Sequence, residues 1–184
     1  SYKGQVGKIA DNILQRQFKA DHPNQKWVTD VTEFNVRGEK LYLSPIMDLF
    51  NGEIISFQMQ RKPMFGLVKD MLKDAMSTLK SNEKPIVHSD QGWQYQMAYY
   101  QNQLAEKGLT PSMSRKGNCL DNASMESFFG ILKSECFYGE KFKTVDDLEQ
   151  TVKEYIHYYN HERIKVKLKG LSPVEYRKQS LKPA

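Results

Sequence analysis

Three β-rich runs follow one another with almost no chain between them: residues 27–36, 40–49 and 53–60. Only Arg37-Gly38-Glu39 and a short stretch holding Asn51-Gly52 separate them. Asn-Gly between apolar β-formers selects a tight hairpin, because both residues tolerate the positive φ that such turns need. The three runs are therefore expected to pair as an antiparallel meander, and the rest of the chain must pack around that ribbon.

Downstream, the pattern changes to alternation. Residues 64–80 carry Phe65, Val68, Met71, Leu72, Ala75 and Leu79 at helical spacing. Pro85–Asp90 is a short apolar run ending in polar residues, the mark of a buried central strand. A helix over 96–107 stops at Gly108, and 110–114 forms a short strand. A polar loop, 115–120, leads into a helix over 122–137 with Asp121 or Asn122 as N-cap. A long helix follows over 145–160, with Leu148, Val152, Tyr155, Ile156 and Tyr159 on one face, and Pro173 opens a last short one. At the other end, residues 7–16 have helical spacing and 20–24 read as a loop. A meander followed by alternating helices and strands is a mixed α/β layered domain.

Composition sets the class. The 184 residues are 39% hydrophobic and 11% aromatic, enough for the core of one medium domain. Mean hydropathy is -0.67, no signal-peptide pattern opens the chain, and no apolar run approaches the roughly 18 residues that span a bilayer. Cys119 and Cys136 are too few for a disulfide scaffold and lack the paired spacing of a zinc site. A soluble intracellular domain is expected. The chain begins at Ser1, as expected of a piece of something longer.

The 27 basic and 22 acidic residues leave a net charge of +5. The whole excess lies in residues 161–184, where Arg163, Lys165, Lys167, Lys169, Arg177, Lys178 and Lys182 face only Glu162 and Glu175. A neutral body with a basic end points either to a polyanion partner, nucleic acid above all, or to a solvated tail.

Three acids stand where surface charge does not belong. Asp30 interrupts the apolar run Trp27-Val28-Thr29-Asp30-Val31-Thr32-Glu33-Phe34. Asp90 ends the run Ile86-Val87-His88-Ser89, and Glu126 lies near the start of a helix whose apolar face is Phe128, Ile131, Leu132 and Cys136. A carboxylate inside a strand is costly unless it is paired or binds a metal. The middle of one strand and the carboxyl end of another can be neighbours, and a helix packed on that sheet can bring a third carboxylate alongside. Three carboxylates at one point bind Mg²⁺ or Mn²⁺ through oxygen. The competing reading, three separately hydrogen-bonded acids, requires three coincidences. Gly130 and Lys133 follow Glu126 at i+4 and i+7, a shallow surface and a positive charge suited to a phosphate.

With those residues in view, the chain resembles the integrase-type transposases encoded by the second reading frame of bacterial insertion sequences of the IS-three family, and more distantly the retroviral integrases. The resemblance is carried by 27–34, by His88-Ser89-Asp90-Gln91-Gly92-Trp93-Gln94-Tyr95, and by Ser112-Met113-Ser114-Arg115-Lys116-Gly117-Asn118. Asp121-Asn122-Ala123-Ser124-Met125-Glu126-Ser127-Phe128-Phe129, Leu132-Lys133-Ser134-Glu135, Tyr159-Asn160-His161-Glu162-Arg163 and Leu171-Ser172-Pro173-Val174-Glu175-Tyr176-Arg177 continue it. It spans residues 22–178, with 35 residues between Asp90 and Glu126, the spacing that names this catalytic class.

The resemblance implies an RNase H-like fold: a five-stranded mixed sheet, three antiparallel strands then two parallel, flanked by helices. It implies that Asp30, Asp90 and Glu126 are the catalytic, metal-binding triad, working with two Mg²⁺ (or Mn²⁺) ions to nick DNA and transfer the strand. The partners would be DNA, both element ends and target, and further copies of the chain assembled on it. The setting would be the bacterial cytoplasm, at the nucleoid, with no membrane. The expected division is an N-terminal helix and linker (1–24), a catalytic core (25–160) and a basic C-terminal segment (161–184). Family members usually carry a helix-turn-helix upstream, and there is no room for one before Gln25, so a catalytic core is expected.

Other residues are assigned around the triad. Arg115, Lys116 and Asn118, in the loop before the catalytic helix, and Lys133 on it are placed for DNA phosphates. Arg163, Lys165, Lys167 and Lys169 alternate with Ile164, Val166 and Leu168, the pattern of a strand or extended arm with one basic face, a DNA track or a lysine-guarded edge. His88 shares a strand face with Asp90 and either tunes the site or is a satisfied core histidine; Asn122 joins it as a supporting residue. Asp48 reads as a turn residue, and Glu33 falls on the face opposite Asp30. His157 and His161 stand at i, i+4 without the partners that complete a zinc site. Two alternatives stay open: an RNase H-like nuclease that cuts without joining, and a non-catalytic DNA-binding remnant.

Overall fold

The computed structural model describes residues 7–183. Its elements are β1 (Lys26–Thr29), β2 (Thr32–Val36), β3 (Glu39–Asp48), β4 (Ile54–Gln60), α1 (Phe65–Ser77), β5 (Ile86–Ser89), α2 (Trp93–Gln96), α3 (Ala98–Glu106), β6 (Thr110–Met113), α4 (Ala123–Cys136), α5 (Val145–His161) and α6 (Pro173–Ser180). Short 3-10 turns at Cys119–Asn122 and Val166–Leu168 precede α4 and α6.

The meander forms as expected, but the Asn51-Gly52 connection is a five-residue loop, 49–53, in which Gly52 (φ 76°) and not Asn51 takes positive φ. Val36 pairs with Glu39, leaving a two-residue loop in which Arg37 (φ 53°) and Gly38 (φ 86°) both take positive φ. That is the primed turn whose twist matches the strands it joins. The first β-rich run is one strand in two pieces. Thr29 pairs with Ile46 and Thr32 with Leu43, so the register against β3 carries straight across the gap at Asp30-Val31. The residue facing Asp30 in that register is Pro45, which has no N–H, and its carbonyl accepts from Thr29 Oγ1 at 2.8 Å. The ladder opens where the aspartate needs room.

β5 adds to β1 in parallel and β6 to β5 in parallel, completing the three-antiparallel, two-parallel sheet. Side chains alternate between two cores. Trp27 packs with Val68, Met71, Leu72 and Leu104 on the α1/α3 face, and Val28 with Phe128, Leu132, Leu148 and Tyr159 on the α4/α5 face. Asp30, two residues beyond Val28, is directed to the α4 face.

Two expected elements are absent. Residues 7–16 form no helix. Ile13 and Leu14 N–H donate to Ser112 Oγ (2.9 and 3.0 Å), Met113 N–H donates to the Asp11 carbonyl (3.1 Å), and Gln15 and Arg16 take positive φ. The segment crosses the end of the sheet, with Ala10 against one core and Leu14 buried in the other. The basic arm is not a strand either: Lys165 makes a single bridge to Leu171, and a 3-10 turn follows.

Asp48 is a turn residue, fully buried at the end of β3. Its carboxylate accepts from Asn24 N (2.8 Å), Phe50 N (2.9 Å) and Arg177 Nη1 (3.0 Å), which fastens α6 to the hairpin. Asp48→Ala leaves the Asn24 and Phe50 N–H groups without their acceptor and Arg177 with Glu53 alone, at 3.3 Å. It is expected to lower stability by about 3 kcal/mol, measured by urea unfolding.

Candidate active site

Val28 lies beside His88 in the parallel β1–β5 pair. Asp30 and Asp90 each stand two residues further on, so both leave neighbouring strands at the same level and on the same face. α4 packs on that face and presents Glu126 from its first turn. The three acids share one cleft of about 430 Å³ with Gln91, Gly92, Ser114, Arg115, Lys116 and Asn122.

Asp30 is the strained member electrostatically. Burial, above all, and the neighbouring Asp90 push its carboxyl up to about 7; the Val31 N–H, bonded to Oδ1 at 2.8 Å, opposes this, and Glu126 adds to the rise. Asp90 Oδ1 accepts the Gly92 N–H at 2.7 Å. A Cβ on Gly92 would sit 2.9 Å from that oxygen, so glycine is what lets the backbone turn so tightly around the acid. Glu126 is exposed on the cleft wall. The three carboxylates share the cleft without converging on one coordinating point; among the described residues no three such groups do. The donor set is all oxygen and mutually repulsive, which fits a hard divalent cation and no softer one.

The supporting residues are assigned by their bonds. His88 is buried, its ring nitrogens 2.8 Å from Ser112 Oγ and 2.9 Å from the Asp121 carbonyl. A carbonyl only accepts, so Nε2 carries the proton, and Ser112, already accepting two N–H groups, gives its own proton to Nδ1. Burial holds the ring below its usual pKa. His88 is therefore a neutral core histidine that positions the entry to α4.

Asp121 caps nothing. Its buried carboxylate accepts Arg16 Nε (2.7 Å), Arg115 N (2.8 Å), and Arg115 Nε and Nη2 (both 3.1 Å), which holds it well below the usual carboxylate range. Arg16 also reaches Asn118 Oδ1 at 3.0 Å. Asn122 takes the N-cap position, donating to the Thr29 carbonyl at 3.4 Å; its buried Oδ1 has no hydrogen-bond partner among the described residues. Sequence reasoning missed this clamp, for Arg16 is 105 residues from Asp121. The available signal was local, an arginine six residues before a buried aspartate.

The structure brings Arg115, Lys116 and Asn118 to the cleft with the triad. Lys133 lies away from it, donating to the Glu33 carbonyl (3.0 Å) with its ammonium 5.1 Å from the Phe34 ring centre. Nor do the four arm residues make one basic face. Arg163 forms a two-point pair with Glu135, Lys165 folds against Tyr159, and Lys167 and Lys169 are exposed. The His157 and His161 ring centres lie 4.4 Å apart with the planes tilted by 31°.

The integrase core domain profile matches residues 20–119, and a second integrase core profile matches 126–181. This chain belongs to the integrase core domain family. The integrase core is 63% identical over 181 residues to a transposase-like protein of Haemophilus influenzae, covering 98% of this chain and 83% of that protein. It is 58% identical over 183 residues to the putative transposase InsK of insertion sequence IS150 in Escherichia coli K12, covering all of this chain and 65% of that one. It is 38% identical to the E. coli transposase InsF of IS3A, spanning 63% of its length. The chain thus spans just under two thirds of those two insertion-sequence transposases, and it resembles them over that span.

Among solved structures, the HTLV-2 integrase catalytic core domain in complex with magnesium superposes with a TM-score of 0.63 at 18% identity, over 85% of this chain and 98% of that one. A simian T-cell lymphotropic virus intasome gives a TM-score of 0.74 at 16% identity, over all of this chain and 62% of that one. The integrase core therefore has the RNase H-like fold.

Two stability predictions follow from the carboxylates. Asp30 is protonated more readily folded than unfolded, so it costs the fold stability as pH rises from about 4 through about 7. Asp30→Asn is expected to melt above wild type at pH 8, by a margin of order 2 kcal/mol that vanishes near pH 4. Asp121 has the opposite sign, its stabilisation present at neutral pH and lost as pH falls below about 4. Asp121→Asn is expected to melt below wild type at pH 7, the gap narrowing in acid, as read by circular dichroism.

Proposed function

We propose that this integrase core nicks DNA at the ends of a mobile element and joins the freed 3′-hydroxyl to a target strand, with Asp30, Asp90 and Glu126 as its catalytic carboxylates. The observation that carries this reading is that three acids, one just past β1, one just past β5 and one in the first turn of α4, line one cleft where burial and mutual charge push Asp30 up to about 7. Divalent cations, Mg²⁺ or Mn²⁺ and two in the working complex, would be held by these carboxylates and would supply charge to activate the attacking oxygen and stabilise the leaving one.

The chain's own groups define the rest. Asp30 and Asp90 are fixed by the sheet and by their bonds to Val31 and Gly92, so the donor positions are set before substrate arrives. Asn122, buried at the start of α4, donates to the Thr29 carbonyl and so ties the helix that carries Glu126 to the strand that leads into Asp30. Lys116, exposed on the cleft rim, is suited to a DNA phosphate. Residues 25–160 form the catalytic core of this reading, and the exposed Lys167 and Lys169 of residues 161–184 extend its DNA contact. A solved relative is an intasome; the chain would likewise work as several copies on DNA, at the bacterial nucleoid. Among the described residues no helix is long and apolar enough to cross a membrane.

With a labelled element-end duplex, a target duplex and Mg²⁺, wild type is expected to give nicked and joined products on a sequencing gel. Asp90→Asn and Glu126→Gln are each expected to lose at least about 10³-fold in rate while keeping wild-type melting within a few degrees. Undiminished nicking by Glu126→Gln would refute the assignment.

A further inference from the structure

A second cleft, of about 570 Å³, runs along the other flank of α4. Ser124, Ser127 and Ile131 wall it, whereas Asn122 and Glu126 wall the triad cleft, so one helix partitions the two. Lys19, Lys165 and Lys167 line the second cleft, and no acidic side chain does.

Lys165 is held in an unusual way. Its Nζ donates to Tyr159 Oη at 2.6 Å and lies 4.5 Å from the centre of that ring. Burial, followed by Arg163 and Lys167, lowers its ammonium to about 8. A half-buried cation among like charges is destabilised until an anion joins it. The remaining lining is aromatic. The Phe50 and Tyr176 rings stand 5.5 Å apart at 42°, and Phe18 completes the wall; all three are half-buried. Aromatic faces beside lysines are the combination that holds unpaired nucleotides, the base stacked and the phosphate on an ammonium. Bases inside a duplex are already stacked and cannot lie against such faces.

We propose that this cleft receives an unpaired nucleotide of the DNA strand crossing the triad cleft, its base against Phe50 and Tyr176 and its phosphate at Lys165 and Lys167. The proposal rests on the DNA reading of the triad cleft, and the two can fail separately.

The test is fluorescence anisotropy of the full chain with a labelled thymidine oligonucleotide and its abasic counterpart, in EDTA so that triad chemistry is silent. Wild type is expected to bind the thymidine strand about tenfold more tightly than the abasic one. Lys19 and Lys167 are exposed, so Lys19→Ala/Lys167→Ala should fold normally. That variant is expected to weaken binding to both strands and to flatten the log–log salt slope by about 0.7, the share of one phosphate. Tyr176→Leu, which keeps the apolar volume, is expected to lose the preference with the slope unchanged. Equal affinity for the two strands, or a double-lysine variant that binds like wild type, would overturn the proposal. So would displacement of the strand by thymidine monophosphate at equal nucleotide concentration, which would assign the cleft to free nucleotides. Duplex nicking by the same preparations reads the triad independently: nicking without base-dependent binding overturns this inference alone, and base-dependent binding without nicking overturns only the proposed chemistry.

Discussion

The parallel pairing of β1 with β5 is the constraint on which the site depends. It sets Asp30 and Asp90 at one level of the sheet, on the face that α4 covers. Two acids so placed repel each other, and burial makes the repulsion felt, as the rise of Asp30 shows. The sheet withstands this because both cores are filled: Trp27 and Val28, three and two residues before Asp30, are fully buried on opposite faces. Pro45 adds a local concession, interrupting the ladder where Asp30 must leave it.

The third acid is held by a different means. α4 begins without a side-chain cap, and its entry is positioned by the Arg16–Asp121–Arg115 clamp and by the neutral His88 bonded to the Asp121 carbonyl. Ser112 joins these to the N-terminal segment, because the same hydroxyl oxygen accepts from Ile13 and Leu14 and donates to His88. The residues ahead of β1 are thus part of the apparatus that orients Glu126. α4 then serves two clefts, one acidic and one basic, on its two flanks.

Much of this was legible from the sequence. The turn at Arg37-Gly38, the buried run ending at Asp90 and the apolar stripe of α5 are local signals, and the structure follows them. The two aspartates were legible because acids at strand ends stand out against apolar neighbours, and the structure places them in one cleft with Glu126 without bringing the three to a common point. What failed, failed for want of long-range information. Residues 7–16 show helical spacing because Ala10 and Leu14 enter two different cores, a partition no local pattern reveals. The alternation of Arg163 to Lys169 imitates a strand, but Glu135 claims Arg163 and Tyr159 claims Lys165. Asp121, adjacent to the cap position, is drawn off by Arg16 from a distant segment and by Arg115 six residues before it.

The central claim is that Asp30, Asp90 and Glu126 constitute one metal-binding site. Anomalous diffraction from crystals soaked in Mn²⁺ tests it most directly. The account predicts a peak in the cleft, with oxygens of Asp30 and Asp90 at bonding distance and Glu126 turned towards it. Saturating Mn²⁺ that leaves the cleft without a peak, or places one elsewhere on the chain, would contradict it.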